Sequence, residues 1–188
     1  PPRSTLFPYT TLFRSRKKIY LIMDDIYHKL VFDGKRAAPA YEFSNLNVDE
    51  SMIIVVNGVS KLYGMTGFRI GWVVANRKLV EVMTNVSAQT ASCTSIVLQS
   101  AAEGALTGMQ SVVENLRLGF ENNRGIIVNE LHAFTGVKTI PPDGAFYVLP
   151  DFRFYKQDSV ELSRFLLRKA LVVRSEERRV GKECRSRW

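Results

Sequence analysis

A single lysine, Lys61, lies between two apolar runs in surroundings that suit carbonyl chemistry. The runs Met52–Val56 and Trp72–Ala75 each predict a buried strand. A lysine that is withdrawn from water loses its proton readily, and its free amine attacks a carbonyl to form a Schiff base. Arg69 follows eight residues later and offers a planar set of donors that suits a phosphate. This spacing indicates an amine nucleophile beside an anion-binding cation.

A carboxylate precedes this stretch at the end of another predicted strand. The apolar run Lys18–Met23 predicts a strand of a parallel sheet that is buried on both faces, and Asp24 follows it. Ligands of open α/β sheets bind outside the carboxyl ends of the strands, so Asp24 is well placed for chemistry. A carboxylate beside a pyridine nitrogen keeps that nitrogen protonated. Tyr27 follows Asp24 by three residues, whereas Asp25 has no tyrosine at that spacing.

The run from Ser60 to Gly71 reads S-K-x-x-x-M-T-G-F-R-I-G and resembles the pyridoxal-phosphate lysine motif of class I/II aminotransferases. It is most similar to the aspartate-aminotransferase-like branch. The resemblance implies that Lys61 holds pyridoxal 5′-phosphate as an internal aldimine and that Arg69 binds its phosphate. It also implies that Asp24 faces the ring nitrogen and that the Tyr27 phenol bonds the ring hydroxyl.

One position departs from the family's pattern. Many members carry a serine three residues before the lysine as a phosphate ligand, and this chain has Gly58 there. Ser60, next to Lys61, is a candidate cofactor ligand. The sequence leaves open whether Ser60 replaces the missing serine.

The resemblance also implies a domain organisation and an α/β fold. A three-layer large domain of fold type I, present in part, is expected over 16–120, and the start of an α+β small domain over 121–173. A long amphipathic stretch is expected to run as a helix from one domain into the other. Its predicted core-facing residues are Met109, Val112, Val113, Leu116, Phe120, Ile127 and Leu131. Thr139–Pro150, which contains P-x-G-A-F-Y, is predicted to be a turn followed by a small-domain strand near the substrate entrance.

Further local signals predict helices and a subunit contact. Asn76 is predicted to cap a helix over Arg77–Thr84, and Ser159 to cap another that extends to Ala170. The polar run Ser87–Ser92 is predicted to be a turn. In the family, the equivalent segment approaches the cofactor of the partner subunit, which implies a homodimer. A plain connector between helices is the alternative.

The two ends of the chain show an unusual relationship at the level of codons. When residue 1 is paired with 188, and so on inward to 15 with 174, every pair can be encoded by reverse-complementary codons. Trp188 requires TGG, for example, and its reverse complement CCA encodes Pro1. Residues 1–15 and 174–188 are therefore expected to be translated sequencing adapter, with terminal inverted repeats of a mobile element as the alternative. Such segments are excluded from fold reasoning.

Excluding the ends changes what the charge predicts. The whole chain has a net charge of +8, whereas the remainder has 18 basic and 15 acidic residues, a net charge of +3. Neither a nucleic acid nor a membrane is therefore expected as a partner. Cys93 is the one cysteine outside the ends, which excludes a disulfide framework there and favours a reducing, cytoplasmic compartment.

The predicted function is pyridoxal-phosphate-dependent transamination between an amino acid and a 2-oxo acid, with an aspartate-type donor favoured. The alternatives are a lyase or racemase on the same fold, and an aminotransferase-like sensor domain of a transcription regulator. No metal is expected, because His28 and His132 stand apart in the sequence. The resemblance covers the middle-to-late part of a longer family protein, and the arginine that grips the substrate carboxylate would follow Val173. The 188-residue chain alone is therefore expected to be inactive.

Overall fold

The computed structural model describes residues 17–155 and 158–172, so the expectation about residues 1–15 and 174–188 lies outside the described part. Its strands are β1 (Leu21–Asp24), β2 (Ile53–Gly58), β3 (Gly71–Val74), β4 (Lys138–Thr139) and β5 (Pro150–Asp151). Its α-helices are α1 (Arg77–Thr90), α2 (Ile96–Thr107), α3 (Ser111–His132) and α4 (Ser159–Phe165). Short 3₁₀ turns cover Ala40–Phe43, Thr66–Phe68 and Arg153–Tyr155, and a π-turn covers Leu166–Ala170.

The first three strands form one mixed sheet in the order β1-β2-β3. β1 pairs with β2 in parallel, with Asp24 opposite Val56. β2 pairs with β3 in the antiparallel sense, with Gly58 opposite Gly71. Because β1 and β2 run in the same direction, their carboxyl ends meet at one edge of the sheet. This edge carries Asp24 and leads directly into the segment that carries Lys61.

Only one face of β1 is covered. Leu21 packs with Ile53 and Ala40, while Ile22 on the opposite face is 67% exposed. The prediction of a strand buried on both faces is therefore wrong for this chain. Successive side chains of a strand point to opposite faces, and the face that carries Ile22 is open to solvent among the described residues.

The chain divides into two compact units. Among the described residues, the first comprises 17–124 together with Pro142–Tyr147, and the second comprises Gly125–Pro141, 148–155 and 158–172. The first unit has two clusters of buried side chains. One is the cluster of Leu21, Ala40 and Ile53 described above. The other, which we call the first core, consists of Leu30, Leu62 and Val113. In the second unit, β4 and β5 pair in the antiparallel sense, and its buried apolar side chains are Val128, Val137 and Leu162.

Helix α1 begins where the sequence predicts. The Asn76 side chain accepts a hydrogen bond from the backbone N–H of Leu79, which confirms the predicted cap. The helix continues to Thr90, so the predicted turn over Ser87–Ser92 is wrong for its first four residues. This run contains no glycine or proline to end the helix, and the Thr90 hydroxyl bonds back to the carbonyl of Val86 within it.

Helix α3 buries part of its predicted apolar face. Val113 is buried, and Leu116 and Phe120 pack against the first core. Met109 is 81% exposed, and Val112 and Ile127 are also exposed, so the prediction of a core position is wrong for these three residues. The amphipathic period locates the face, but it does not say how far neighbouring elements extend along it.

Helix α4 is capped by Asp158, whose side chain accepts a hydrogen bond from the N–H of Val160. The prediction of Ser159 as the cap is therefore wrong by one residue. Asp and Ser are both common capping residues, so the sequence does not show which of Asp158 and Ser159 precedes the first helical residue. No helix among the residues that the structure describes is long and apolar enough to cross a membrane.

Gly58→Ala is expected to lower the free energy of unfolding by about 1–3 kcal/mol, because a Cβ at this position would overpack the β2–β3 pair. The added carbon would lie 2.8 Å from the carbonyl oxygen of Ile70 and 3.1 Å from the Cα of Gly71. Urea unfolding measures the change.

Gly67→Ala is the matched control, because a Cβ at Gly67 meets nothing within 4 Å. Equal stability losses in the two variants would contradict the close approach of the strands.

Candidate active site

Asp24 and Lys61 lie at the ends of neighbouring parallel strands. Asp24 is the last residue of β1 and is exposed, and the next residue, Asp25, extends the ladder by donating its N–H to the carbonyl of Val56 at 2.9 Å. Lys61 follows the end of β2 by three residues and is half-buried. Its neighbour Leu62 is almost fully buried and anchors the segment in the first core.

An aromatic ring connects Lys61 with Tyr27. The Lys61 Nζ lies 5.8 Å from the centroid of the Phe146 ring. The same ring packs edge-on against Tyr27, with 5.3 Å between the centroids. The Tyr27 hydroxyl lies 2.8 Å from the hydroxyl of Tyr147. The structure thus brings Lys61 and Tyr27 together around Phe146.

The segment that carries this ring, Pro142–Tyr147, folds back onto the backbone after Tyr27. Phe32 donates its N–H to the carbonyl of Asp143 at 2.9 Å, and Ala145 donates to the carbonyl of Leu30 at 2.7 Å. Ala145 has a left-handed backbone, with φ of 59°. The predicted strand within Thr139–Pro150 is wrong over 145–149, because this turn interrupts it, and β5 keeps only Pro150–Asp151.

Arg69 is tied to the lysine segment through one threonine. Arg69 is exposed and has a left-handed backbone, with φ of 52°. Its guanidinium donates to the carbonyl of Thr66 at 3.1 Å, and the Thr66 hydroxyl donates to the carbonyl of Ser60 at 2.9 Å. The backbone of Ser60 takes part in this link, and its half-buried side chain stays a candidate ligand.

The glycine that replaces the family's serine has a steric reason in this chain. Gly58 is buried where β2 and β3 approach most closely, and a side chain there would meet the carbonyl oxygen of Ile70. A serine at this position requires the two strands to separate. The phosphate contact that the family's serine makes is therefore not available from residue 58 in this backbone.

A network of ion pairs holds the backbone after Tyr27 on α3. The Arg124 guanidinium donates to both carboxylate oxygens of Asp33, at 2.6 and 2.7 Å, and lies over the ring of Phe32. These hydrogen bonds lower the pKa of the Asp33 carboxyl from its ordinary value. The backbone N–H of Asp33 donates a hydrogen bond to the carboxylate of Glu121, and Arg117 donates a second one. These two hydrogen bonds lower the pKa of the Glu121 carboxyl from its ordinary value. Sequence reasoning did not identify these residues, because their partners are far apart in the chain.

The donor set fits pyridoxal phosphate chemically. The ends of β1 and β2, with the turns that follow them, contribute four kinds of polar group. An amine can condense with an aldehyde, and a carboxylate can accept a hydrogen bond from a ring N–H. A phenol and a guanidinium can donate hydrogen bonds to oxygens. Within the described residues, no group of three or more His, Cys, Asp or Glu side chains could hold a metal ion. The site therefore suits an organic cofactor with a carbonyl and a phosphate.

A family model described as aminotransferase class I and II matches residues 8–185 of the chain. The chain belongs to this family. Class I and II aminotransferases use pyridoxal 5′-phosphate, in agreement with the donor set. The expected fold-type-I α/β fold is confirmed by solved aminotransferases that superpose on most of the chain.

The similarity to individual aminotransferases covers most of this chain but a minor part of each relative. Aspartate aminotransferase of Bacillus sp. (strain YM-2) is 38% identical over 136 residues, which are 71% of this chain and 33% of the relative. Asparagine–oxo-acid transaminase of Streptococcus mutans is 37% identical and is covered to 34%. The crystal structure of the aspartate aminotransferase from Rhizobium meliloti superposes with a TM-score of 0.79 at 30% identity, covering 86% of this chain and 42% of that one. The chain thus spans about a third of the length of the curated relatives it matches.

Asp33→Asn is expected to weaken the dependence of stability on acidic pH. The pKa of the Asp33 carboxyl is lowered in the folded chain from an ordinary value of 3.8. The stability that its ion pair contributes is therefore complete above about pH 4 and is lost as the pH falls through the lowered pKa. The variant should thus lose less of its free energy of unfolding between about pH 6 and about pH 3 than the parent chain loses.

Denaturant unfolding at the two pH values measures this difference. The variant Glu50→Gln, which removes the charge of an exposed carboxylate, is measured beside it as the control. An unchanged pH dependence in Asp33→Asn would show that the Arg124 pair does not stabilise the folded chain.

Proposed function

We propose that this chain is part of an enzyme that transfers an amino group between an amino acid and a 2-oxo acid with pyridoxal 5′-phosphate as cofactor. The observation that carries the proposal is the position of Lys61, half-buried after β2, beside the strand that ends in Asp24. An aspartate-type amino donor is favoured, because several relatives at 36–38% identity are named aspartate aminotransferases.

Each polar group of the site has a proposed partner on the cofactor. The Asp24 carboxylate accepts a hydrogen bond from the ring nitrogen and keeps that nitrogen protonated. The Tyr27 phenol donates to the ring oxygen. The Arg69 guanidinium donates to the phosphate, with the Ser60 hydroxyl as a further donor. The link from Arg69 through Thr66 to the Ser60 carbonyl supports this assignment, because it holds the cation next to the lysine segment.

Lys61 is the proposed catalytic residue. Pyridoxal phosphate, when bound, supplies an aldehyde for the amino nitrogen and a ring that delocalises the electron pair of the broken Cα–H bond. Lys61 holds the cofactor before the substrate arrives. Its freed Nζ would then take the proton from the substrate Cα as general base and would return it, as general acid, to the carbon that was the aldehyde carbon of the cofactor. The Phe146 ring lies beside the Nζ, with 5.8 Å between the Nζ and the ring centroid.

We further infer that the longer protein is a cytoplasmic homodimer. Apolar side chains at the end of α1 and the start of α2 support a subunit contact, because Val86, Ile96 and Val97 are 56%, 72% and 71% exposed. The single cysteine outside the two ends supports a reducing compartment.

Borohydride reduction of the 188-residue chain with pyridoxal phosphate is expected to fix the cofactor on Lys61 in preference to the other lysines. Lys61 is half-buried and follows Ser60 in the segment proposed to hold the phosphate, a position that would bring the aldehyde of the cofactor to its Nζ. Peptide mass spectrometry after trypsin digestion locates the added mass.

The variant Lys61→Arg should lose this label, whereas Lys29→Arg, at an exposed lysine, should keep it. Labelling spread evenly over the surface lysines would contradict the proposed cofactor site.

Arg69→Lys is expected to weaken the binding of pyridoxal phosphate about tenfold, because a fork of donors is replaced by a single ammonium. Fluorescence titration of the chain measures the dissociation constant. Pyridoxal, which lacks the phosphate, is the matched ligand, and its affinity should stay the same. A parallel loss of affinity for both ligands would show that Arg69 does not contact the phosphate.

A further inference from the structure

His28 lies between the ends of the two parallel strands. It belongs to the turn that follows Asp24, and its Nδ1 is 2.8 Å from the carbonyl oxygen of Asp25. The same Nδ1 is 3.0 Å from the side-chain Nδ2 of Asn57, near the end of β2. The His28 ring is half-buried at this point. One ring nitrogen thus faces groups from both strand ends.

These two contacts make opposite demands on the nitrogen. The carbonyl of Asp25 only accepts, so it requires a proton on Nδ1, whereas an amide Nδ2 only donates, so it requires a lone pair there. The orientation of the Asn57 amide is set by its other end, because its Oδ1 accepts the N–H of Gly58 at 2.8 Å. If the amide were turned around, its Nδ2 would face the backbone N–H of Gly58, and two donors would oppose each other.

The neutral ring with its proton on Nε2 gives both the Asn57 amide and the Asp25 carbonyl a described partner, although Nδ1 and the carbonyl oxygen, both acceptors, then lie 2.8 Å apart. Nδ1 then accepts from Asn57, and the carbonyl of Asp25 still accepts the backbone N–H of His28 at 3.1 Å. With the proton on Nδ1, the Asn57 amide would face a second donor in a part-buried position, which is unfavourable. The Asp25 carbonyl has a second donor and the Asn57 amide has none among these contacts, so the count of partners favours the Nε2–H form.

We propose that His28 is a positioning residue, whose neutral ring accepts a hydrogen bond from Asn57 and thereby ties the turn that carries Asp24 and Tyr27 to the segment that carries Lys61. The consequence for cofactor capture rests on the proposed function, whereas the link itself does not. A proton on Nδ1 reverses the preference, because Nδ1–H then donates to the carbonyl of Asp25 and repels the Asn57 amide.

The charged groups around His28 have partners of their own. The groove beside His28, about 540 Å³ in volume, is lined by the charged side chains Lys29, Lys35, Arg36, Glu114 and Arg117. Lys35 pairs with Asp143, Arg36 with Glu42, and Arg117 with Glu114 and Glu121, while Lys29 donates to Gln110. Each of these charged groups thus has a described partner other than His28, and Asn57 stays the donor that faces Nδ1.

The test is the tautomer of His28 in the 188-residue chain, measured by long-range ¹H–¹⁵N NMR of the histidine rings under conditions where they are neutral. The chain has two histidines, so assignment needs one His28→Gln sample. His132 is the internal reference, because its Nε2 contacts the carbonyl of Thr139. We expect Nδ1 of His28 to be unprotonated. A proton on Nδ1 would overturn the proposal.

Asn57→Asp sharpens the test, because it keeps the shape and the acceptor for the Gly58 N–H but replaces the donor that faces His28. The proton of the neutral ring should move to Nδ1, since the new oxygen can only accept. The His132 signals should not change. A His28 ring that keeps its proton on Nε2 in this variant would overturn the link.

The positioning role is tested by the rate of borohydride-trapped capture of pyridoxal phosphate on Lys61. His28→Leu and Asn57→Ala should each slow capture several-fold, and the double variant should be no slower than either single variant, as expected for one shared interaction. Additive losses, or unchanged capture, would overturn the positioning role. A parent chain without label on Lys61 would instead refute the proposed function, and the tautomer would still decide the link.

Discussion

The parallel pairing of β1 with β2 is the constraint on which the site depends. It brings two carboxyl ends to one edge of the sheet, so Asp24 ends at the same edge from which the chain continues to Lys61, although 37 positions separate the two residues. An antiparallel pairing of the same strands would put these groups at opposite edges. The shared edge also explains why one imidazole, His28, can contact the ends of both strands.

Backbone groups hold most of the site in place. The close approach of β2 and β3 leaves no room for a side chain at Gly58. The link from Arg69 through Thr66 ends on a backbone carbonyl, and so does the bond that docks Ala145 on Leu30. Such bonds depend on the path of the backbone more than on the identity of the residue that supplies the carbonyl.

The sequence predicts those parts of the site that local patterns encode. The motif around Lys61, the D-x-x-Y spacing and the cap at Asn76 each depend on a few consecutive residues. The family that these motifs predict is confirmed by the match to the family model, and the predicted cap is confirmed by the structure. The contact between Lys61 and Phe146 could not be predicted, because it depends on how a segment 85 residues later folds back. The open face of β1 escaped prediction for a similar reason, since an apolar run does not reveal whether both faces of a strand are covered.

A crystal structure of the chain after borohydride reduction with pyridoxal phosphate tests the central claim most directly. If the shared edge of β1 and β2 is the cofactor site, the pyridine nitrogen will lie within hydrogen-bond distance of the Asp24 carboxylate while the reduced carbon is bonded to Lys61 Nζ. The phosphate will then contact Arg69. A pyridine nitrogen directed into solvent, or a phosphate held by the lysines of the groove beside His28, would contradict the account.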